Sequence, residues 1–197
     1  IYMFNTKVLI DYLVNYPDYD DFGGDIIPQA IKDHEVFGFD FDGYWQDIGT
    51  IRSFYETNLM LTTSESPFNF YDAKLPIYTD TRYLPASIVE DCRLKDVLIA
   101  EGSRLLKSEI THSIIGIRSK IAAGCVIKDS IVMGSDYYDR DWGGLPIGIG
   151  ANCHIEGAIL DKNARIGENV TIRPFPRNTE IDNQNWYVRD GIVIIPK

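Results

Sequence analysis

The chain has 197 residues, of which 45% are hydrophobic and 24% charged, and its formal net charge is -10. This composition is that of an ordinary globular protein, and the length suits one large domain or a small domain with part of another. The acidic balance argues against the concentrated basic face of a nucleic-acid-binding protein, and no apolar run reaches the ~18 residues that span a bilayer. We therefore expect neither nucleic acid nor a membrane as a partner.

Residues 1–62 have the pattern of an α/β domain. Residues 1–4 are predicted to form an apolar strand, 7–16 a helix, and a second helix is expected from about residue 24 with Asp21 as its cap. Residues 35–41 alternate as a strand does, and Thr50 is placed to cap a helix that extends to about residue 61. Two strands and two or three helices are too few for a sheet covered on both faces. We therefore expect the end of a larger domain, and a chain that is a fragment of a longer polypeptide.

Residues 63–86 differ in character, because three prolines interrupt a stretch rich in Ser, Thr and Tyr. Proline removes backbone donors and breaks helices. This segment is predicted to be a linker, an ordered connector that crosses between domains.

Residues 87–173 carry the strongest pattern, in which aliphatic residues recur every five or six positions. No α-helix has this period, whereas a parallel β-helix places one short strand and one inward aliphatic on each face of a triangular coil. The alternative is a β-sandwich, which would show period-two alternation. The Ile-Gly pairs at 115–116, 147–148, 149–150 and 166–167 are interpreted as corners where positive φ is needed. The predicted inward residues are Ile99, Leu105, Ile110, Ile115, Ile121, Val126, Val132, Ile149, Ile155, Leu160, Ile166 and Ile172.

Three further features complete the chain. Residues 134–146 interrupt the repeat and are predicted to be a loop at one corner, and 186–188 and 192–195 are predicted to be strands of a terminal coil. The three cysteines have no metal-ligand spacing, so we expect them to be reduced core or near-core residues. His112 and His154 lie in the repeat and are expected at the surface or between coils.

Asp47 is the first candidate for chemistry, because it lies at a predicted strand-to-helix turn, where α/β proteins place ligands. A metal-dependent nucleotidyl transfer needs carboxylates that hold Mg²⁺, although Asp47 alone is equally well explained as a turn or capping residue. Trp45 is suited to the apolar wall of a sugar site. Asp21 suits a sugar hydroxyl but is favoured as a helix cap, and Tyr2 is favoured as a packing residue.

Basic residues are few and isolated, and composition alone favours a solvated surface for them. They include Arg82, Lys162 and Lys197, which form a site for a phosphorylated effector only if they converge in the fold.

The segments together resemble ADP-glucose pyrophosphorylase over essentially the whole chain. The motifs that carry the resemblance include IYMF at 1–4, DDFGGDIIP at 20–28, YWQDIGTIRSFYETNLMLT at 44–62, PIYTDTRYLP at 76–85, PIGIGANCHIEGAILDKNARIGENV at 146–170 and RDGIVIIPK at 189–197. The resemblance implies the end of a Rossmann-like nucleotidyltransferase domain at 1–62, a linker at 63–86 and a left-handed parallel β-helix at 87–197. It also implies that ATP and glucose 1-phosphate give ADP-glucose and pyrophosphate, for glycogen or starch synthesis.

The resemblance also assigns roles to particular residues. Asp47 corresponds to one of two aspartates that bind Mg²⁺. The glucose 1-phosphate site is expected to include Tyr2, Asp21, Phe22 and Trp45. A site for a phosphorylated effector, such as 3-phosphoglycerate or phosphate, is expected to include Arg82, Asp161, Lys162 and Lys197.

Several expectations follow for the whole protein. The Gly-rich nucleotide loop, the second aspartate and the lysine for the sugar phosphate do not occur in these residues, so the 197 residues alone are predicted to be inactive. A homo- or hetero-tetramer is expected, located in the bacterial cytoplasm, or in a plastid if the source is a plant or alga. The alternatives are a non-catalytic regulatory subunit of the same family and a hexapeptide-repeat acyltransferase, in which a histidine at a coil face would act as general base.

Overall fold

A computed structural model describes residues 1–139 and 143–197, and the contacts between residues divide the chain into two compact units, 1–43 and 44–197. Each unit has buried side chains of its own. Among the described residues, no helix combines the length and apolar character needed to cross a membrane.

The first unit is helical, with α1 at Thr6–Asn15, a π-helix at Phe22–Ile26 and α2 at Ile27–Asp33. The Asn5 side chain begins α1 by accepting a hydrogen bond from the Lys7 backbone N–H at 3.0 Å. A small core holds the helices together, and its buried members are Tyr12, Ile26 and Ala30.

The two strands predicted in this region are wrong. Residues 1–4 and 35–41 have no regular secondary structure, and the Phe37 and Phe39 side chains are 83% and 88% exposed. A strand forms only where a neighbour accepts and donates its backbone hydrogen bonds, and no strand is present among residues 1–43, all of which the structure describes.

The second unit begins with an exposed segment that leads into α3, at Ile51–Met60. Thr50 caps this helix as predicted, since its hydroxyl accepts from the Ser53 backbone N–H and the Ser53 side chain accepts from that of Thr50. The buried Tyr55 and Leu59 attach α3 to the strands that follow. Residues 63–86 contain turns but no helix or strand.

The described residues after the linker contain fifteen short strands, joined by turns. Their bounds are β1 Ile88–Glu90, β2 Arg93–Ile99, β3 Arg104–Leu106, β4 Glu109–Ile115, β5 Lys120–Ile121, β6 Val126–Lys128, β7 Ile131–Val132, β8 Gly148–Ile149, β9 His154–Glu156, β10 Ala158–Leu160, β11 Arg165–Ile166, β12 Thr171–Ile172, β13 Ile181–Asp182, β14 Tyr187–Arg189 and β15 Ile192–Ile195.

From β1 to β12 the strands stack in parallel register on three faces, which gives the predicted triangular coil. One face carries β1, β3, β5, β8 and β11. β2 and β4 each run along two faces: the first half of β4 pairs with β6 and its second half with β7. The corner between these faces is formed by residues with positive φ in successive coils, namely Asp96, His112, Asp129 and Gly157.

The interior confirms the aliphatic repeat with one change of position. Leu105, Ile110, Ile115 and Ile121 are fully buried, as predicted. Val126 is 36% exposed, and the neighbouring Ile127, at 0%, takes the inward position instead. A spacing of five or six residues does not distinguish two adjacent aliphatics, and the pairing of β6 with β4 selects Ile127, which lies beside Ile110.

The interpretation of the Ile-Gly pairs as corners of positive φ is correct for only one of them. Gly148 has φ +106°, whereas Gly116, Gly150 and Gly167 lie outside the left-handed region. Gly116 is small for another reason, because a Cβ there would come within 2.4 Å of the Met133 carbonyl oxygen of the next coil. Most left-handed corner residues are instead polar residues that tolerate this conformation.

The C-terminal strands form as predicted, but the antiparallel direction of their pairing was not predicted. β14 and β15 make an antiparallel hairpin, and β15 also pairs in parallel with β10, so it continues one face of the coil. The predicted loop at 134–146 includes residues 140–142, which lie outside the described residues. Cys125 and Cys153 are buried and Cys92 is half-buried, all three as free thiols.

Candidate functional site

The predicted sugar-binding residues of the first unit lie close together. The Tyr2 and Phe22 rings stack, with centroids 5.5 Å apart and an angle of 14° between their planes. A Cβ on Gly23 would lie 3.9 Å from the Tyr2 hydroxyl and 3.7 Å from the Asp21 carboxylate. The fold therefore brings an aromatic pair, a phenol and a carboxylate to one small surface.

Asp21 caps the π-helix and keeps capacity for a ligand. Its two carboxylate oxygens accept from the backbone N–H groups of Gly23 at 3.2 Å and Gly24 at 2.7 Å. A carboxylate has about four lone-pair sites, so roughly two remain for further donors such as hydroxyl groups. The capping interpretation of Asp21 is confirmed, and its role in sugar binding stays a prediction.

Trp45 and Asp47 lie in the second unit, on the segment that leads into α3. Trp45 is 63% exposed, as suits a residue open to a ligand. One oxygen of Asp47 accepts from the Gly49 backbone N–H at 3.0 Å, while the side chain is exposed. Because Thr50, which directly follows Gly49, caps α3, the Asp47 turn is attached directly to the N-terminus of that helix.

Two of the predicted effector residues, Lys162 and Lys197, act on Asp136, a residue that the sequence pattern did not single out. The Lys162 ammonium lies 2.9 Å from one oxygen of Asp136, and the Asn163 amide donates to the other at 2.9 Å. These two contacts, with a smaller contribution from Lys197, hold the pKa of Asp136 below its ordinary value. Asp136 lies 26 positions from Lys162 in the interrupting loop, so no spacing rule could have found it.

Asp161 belongs to the same cluster through the backbone. Its side chain accepts from the Lys162 backbone N–H at 2.7 Å, and its own N–H donates to the Ile195 carbonyl at 2.9 Å. The position of Asp161 and Lys162 thus depends on the end of β15.

An open cleft of about 360 Å³ adjoins these residues. Its basic lining residues are Lys197 and Arg165, and Arg165 is bound to Asp139 at 3.0 Å. Arg82 is exposed in the linker, and within the described ranges no hydrogen bond or ion pair involves it. The structure therefore brings Asp161, Lys162 and Lys197 together without linking Arg82 to them.

Both histidines of the repeat lie at coil surfaces beside carboxylates. His112 Nδ1 is 2.6 Å from Asp129, and His154 Nε2 is 3.9 Å from Glu156. This agrees with their predicted place at the surface or between coils.

Comparison with known proteins identifies both parts of the chain. Residues 82–197 match the family model described as the GLGC left-handed parallel beta-helix domain, and residues 1–64 match the one described as nucleotidyl transferase. The maize (Zea mays) protein named glucose-1-phosphate adenylyltransferase large subunit 1, chloroplastic/amyloplastic, is 42% identical over 208 residues. The chain belongs to the glucose-1-phosphate adenylyltransferase family. The alignment covers 100% of the chain and 40% of the maize protein.

Membership of the adenylyltransferase family decides one alternative. A hexapeptide-repeat acyltransferase would share the β-helix, but residues 1–64 match a nucleotidyl transferase. The parallel β-helix is accordingly the left-handed helix of this family, and the fold class predicted from the sequence is confirmed.

Asp47 is the residue expected to bind Mg²⁺, and its geometry leaves one carboxylate oxygen for a cation. Asp47 uses one oxygen for the Gly49 N–H, so the other remains available to a cation. Magnesium takes an octahedral set of oxygen ligands, commonly one or two carboxylates with phosphates and water. Within residues 1–139 and 143–197, no group of three or more His, Cys, Asp or Glu side chains could hold a metal ion.

Proposed function

We propose that the protein containing this chain makes ADP-glucose and pyrophosphate from ATP and glucose 1-phosphate, for starch or glycogen synthesis. The observation that carries the proposal is the family match over both parts of the chain, together with the free oxygen of Asp47 at the start of α3. Because the chain spans 40% of its maize relative, the activity is proposed for the whole protein and the 197 residues alone are expected to be inactive.

The residues of this chain have separate tasks in that reaction. Asp47 would hold Mg²⁺, which offsets the charge that develops on the phosphates of ATP when bound. In the first unit, Tyr2 and Phe22 would offer an aromatic wall to the glucose ring, and Asp21 would accept hydrogen bonds from its hydroxyl groups. Trp45, in the second unit, is assigned to glucose 1-phosphate by the family resemblance. The phosphate oxygen of glucose 1-phosphate attacks the α-phosphorus of ATP, and pyrophosphate leaves. The residues of this chain therefore serve to position the substrates and to neutralise their charge.

The cluster at the end of β15 is proposed to bind a phosphorylated effector, such as 3-phosphoglycerate or phosphate. Asp161, Lys162 and Lys197 are the residues we assign to it, with Arg82 as a further cation supplied by the linker. The ion pair between Lys162 and Asp136 is about 40% exposed on each side, and such pairs contribute little to stability. A dianionic phosphate can therefore compete with Asp136 for Lys162.

A tetramer is proposed for the whole protein, in homo- or hetero-oligomeric form. The first coil supports an assembly role, because Ile88 and Val89 of β1 are 51% and 44% exposed. We place the protein in a plastid if its source is a plant or alga, as the name of the maize relative states for that protein, and in the cytoplasm if it is bacterial.

The test is pyrophosphate release by the full-length protein with ATP, Mg²⁺ and glucose 1-phosphate, native against Asp47→Asn. Asparagine keeps the oxygen that accepts from the Gly49 N–H but loses the charge, so the turn should persist while kcat falls roughly 10²-fold or more. Asp72→Asn is the matched control, because Asp72 makes the same kind of turn to the Lys74 N–H, at 2.8 Å, in the linker. This control should leave the rate unchanged.

The outcomes separate the competing assignments. An active native protein with an unaffected Asp47→Asn variant would keep the reaction and remove Asp47 from the metal site. An inactive native protein would favour the second candidate, a non-catalytic regulatory subunit of the same family. The observation that favours this candidate is that the maize relative is named a large subunit.

A further inference from the structure

A bidentate contact fastens α3 to the C-terminal hairpin. The Arg52 Nε lies 2.7 Å from one carboxylate oxygen of Asp190, and an Arg52 terminal nitrogen also donates to the Asp190 backbone carbonyl. The two side chains are 24% and 31% exposed, so the pair is partly shielded from water. Two donors of one guanidinium on one residue fix orientation as well as distance.

Asp190 is itself held firmly in the hairpin turn. Its second carboxylate oxygen accepts from the Asn178 backbone N–H at 2.7 Å, and its own N–H donates to Glu180 at 2.8 Å. The Asn178 N–H and the Arg52 guanidinium, in that order, hold the pKa of this carboxyl below its ordinary value. Any displacement of the turn is therefore passed to Arg52 through a carboxylate that cannot rotate freely.

The hairpin leads from this contact to the proposed effector cluster. Asp190 lies in the turn that leads into β15, a four-residue strand that spans roughly 13 Å. At its far end the Ile195 carbonyl accepts from the Asp161 N–H, and Lys197 follows two residues later. The Asp161–Lys162 pair and the Arg52 contact are thus joined to opposite ends of one short strand.

Arg52 lies in the first turn of α3, next to the proposed metal ligand. Thr50 caps the helix with Ser53, and the Asp47 turn closes on Gly49 immediately before it. A tilt of the first turn of α3 would consequently shift the Asp47 carboxylate.

We propose that Arg52 is a positioning residue, and that its contact with Asp190 couples occupancy of the Lys162 and Lys197 cluster by a phosphorylated anion to the placement of Asp47. This inference rests on the proposed function. The anion displaces Asp136 from Lys162 and alters the hydrogen bond from the Asp161 N–H to the Ile195 carbonyl at the end of β15. The strand carries that change to Asp190, and Arg52 carries it to the start of α3. Coupling between two sites requires such a connected element whose position both sites influence.

The experiment measures activation of the full-length protein by 3-phosphoglycerate, and its reversal by phosphate, in Arg52→Gln. The expected result is at least a roughly 5-fold loss in the activation ratio, which is the rate with 3-phosphoglycerate divided by the rate of the same variant without it. Arg189→Gln is the matched control: it removes an arginine charge from the hairpin residue next to Asp190, where Arg189 pairs with Asp182 and Glu180. Its activation ratio should equal that of the native protein.

Further variants exclude a purely structural effect. Asp190→Asn should lose activation as well, and the double variant Arg52→Gln/Asp190→Asn should respond no less than either single one, since all three lack the same contact. Thermal melting shows whether each variant is folded. If Arg52→Gln alone fails to fold, the isosteric Asp190→Asn decides the matter.

Each outcome bears on a definite claim. Native-like activation in a folded Arg52→Gln would overturn the coupling while leaving the proposed reaction intact. A native protein that makes no ADP-glucose would contradict the proposed function instead. Hydrogen exchange then still tests the coupling: 3-phosphoglycerate should slow exchange in residues 51–60 of the native protein and not in Arg52→Gln. Equal protection in both, or in neither, would overturn it.

Discussion

The β-helix and the first unit differ in how completely each buries its own apolar side chains. In the coils, Leu105, Ile110 and Ile115 are completely buried against their counterparts in neighbouring coils. In residues 1–43, Phe37 and Phe39 alternate as strand residues do, yet they remain largely exposed. A repeat contains the partners of each strand within the same sequence, so its pattern is sufficient for its fold. An isolated alternating segment depends on a partner that its own pattern does not supply.

The largest effect is expected from testing the inward position in β6. Ile127→Ala should lower the free energy of unfolding by about 2–5 kcal/mol, because it leaves a cavity in a closely packed coil. Val126→Ala, one residue earlier, should cost less than about 1 kcal/mol, because the valine side chain faces outward. Denaturant unfolding followed by circular dichroism measures both.

A control from the first unit extends this comparison. Phe39→Ala should change the unfolding of the same chain by no more than about 0.5 kcal/mol, since the ring is 88% exposed. Equal losses for Ile127→Ala and Val126→Ala would show that the assignment of the inward residue is wrong. A large loss for Phe39→Ala would show that this segment is paired after all.

A smaller effect is expected at the corners of the β-helix. Gly148→Ala should cost about 1–3 kcal/mol or more, because φ is +106° and the new Cβ would lie 2.4 Å from the Lys120 carbonyl oxygen. Gly167→Ala should be neutral or stabilising by up to about 1 kcal/mol, because its φ is outside the left-handed region and the nearest atom is 3.8 Å away. Thermal melting of both variants distinguishes the two glycines, and similar losses would contradict the described corners.

The sequence predicted those features that depend on local or periodic patterns. The aliphatic period, the Thr50 cap and the strands of the terminal hairpin were all found in this way. The contacts that join separate segments were not found, because Arg52 and Asp190 are 138 positions apart and no spacing relates them. The same is true of Asp136 and Lys162, where a loop returns to the coil.

The candidate site was predicted in the same uneven way. Tyr2, Asp21 and Phe22 were named from the family resemblance, and the structure places them beside one another. Composition and spacing alone favoured capping for Asp21, which the structure also contains. A carboxylate with about four lone-pair sites can cap a helix and accept hydrogen bonds from a ligand, so the capping role of Asp21 does not exclude a role in binding.

The smallest effect is expected at the base of the interrupting loop, where solvent weakens electrostatic contacts. The Ile147 backbone N–H and then the Arg165 guanidinium hold the pKa of Asp139 below its ordinary value of 3.8. A carboxyl whose pKa is lower in the folded state stabilises the fold above its unfolded pKa, and this contribution disappears as pH falls through the folded value. The melting temperature of the native protein should therefore decline below about pH 4, and Asp139→Asn should show a shallower decline. Arg165→Gln removes only the second of the two contacts, so its pH dependence should lie between those of the native protein and Asp139→Asn. If Asp139→Asn and the native protein lose stability in parallel, the carboxylate of Asp139 does not hold the loop to the coil.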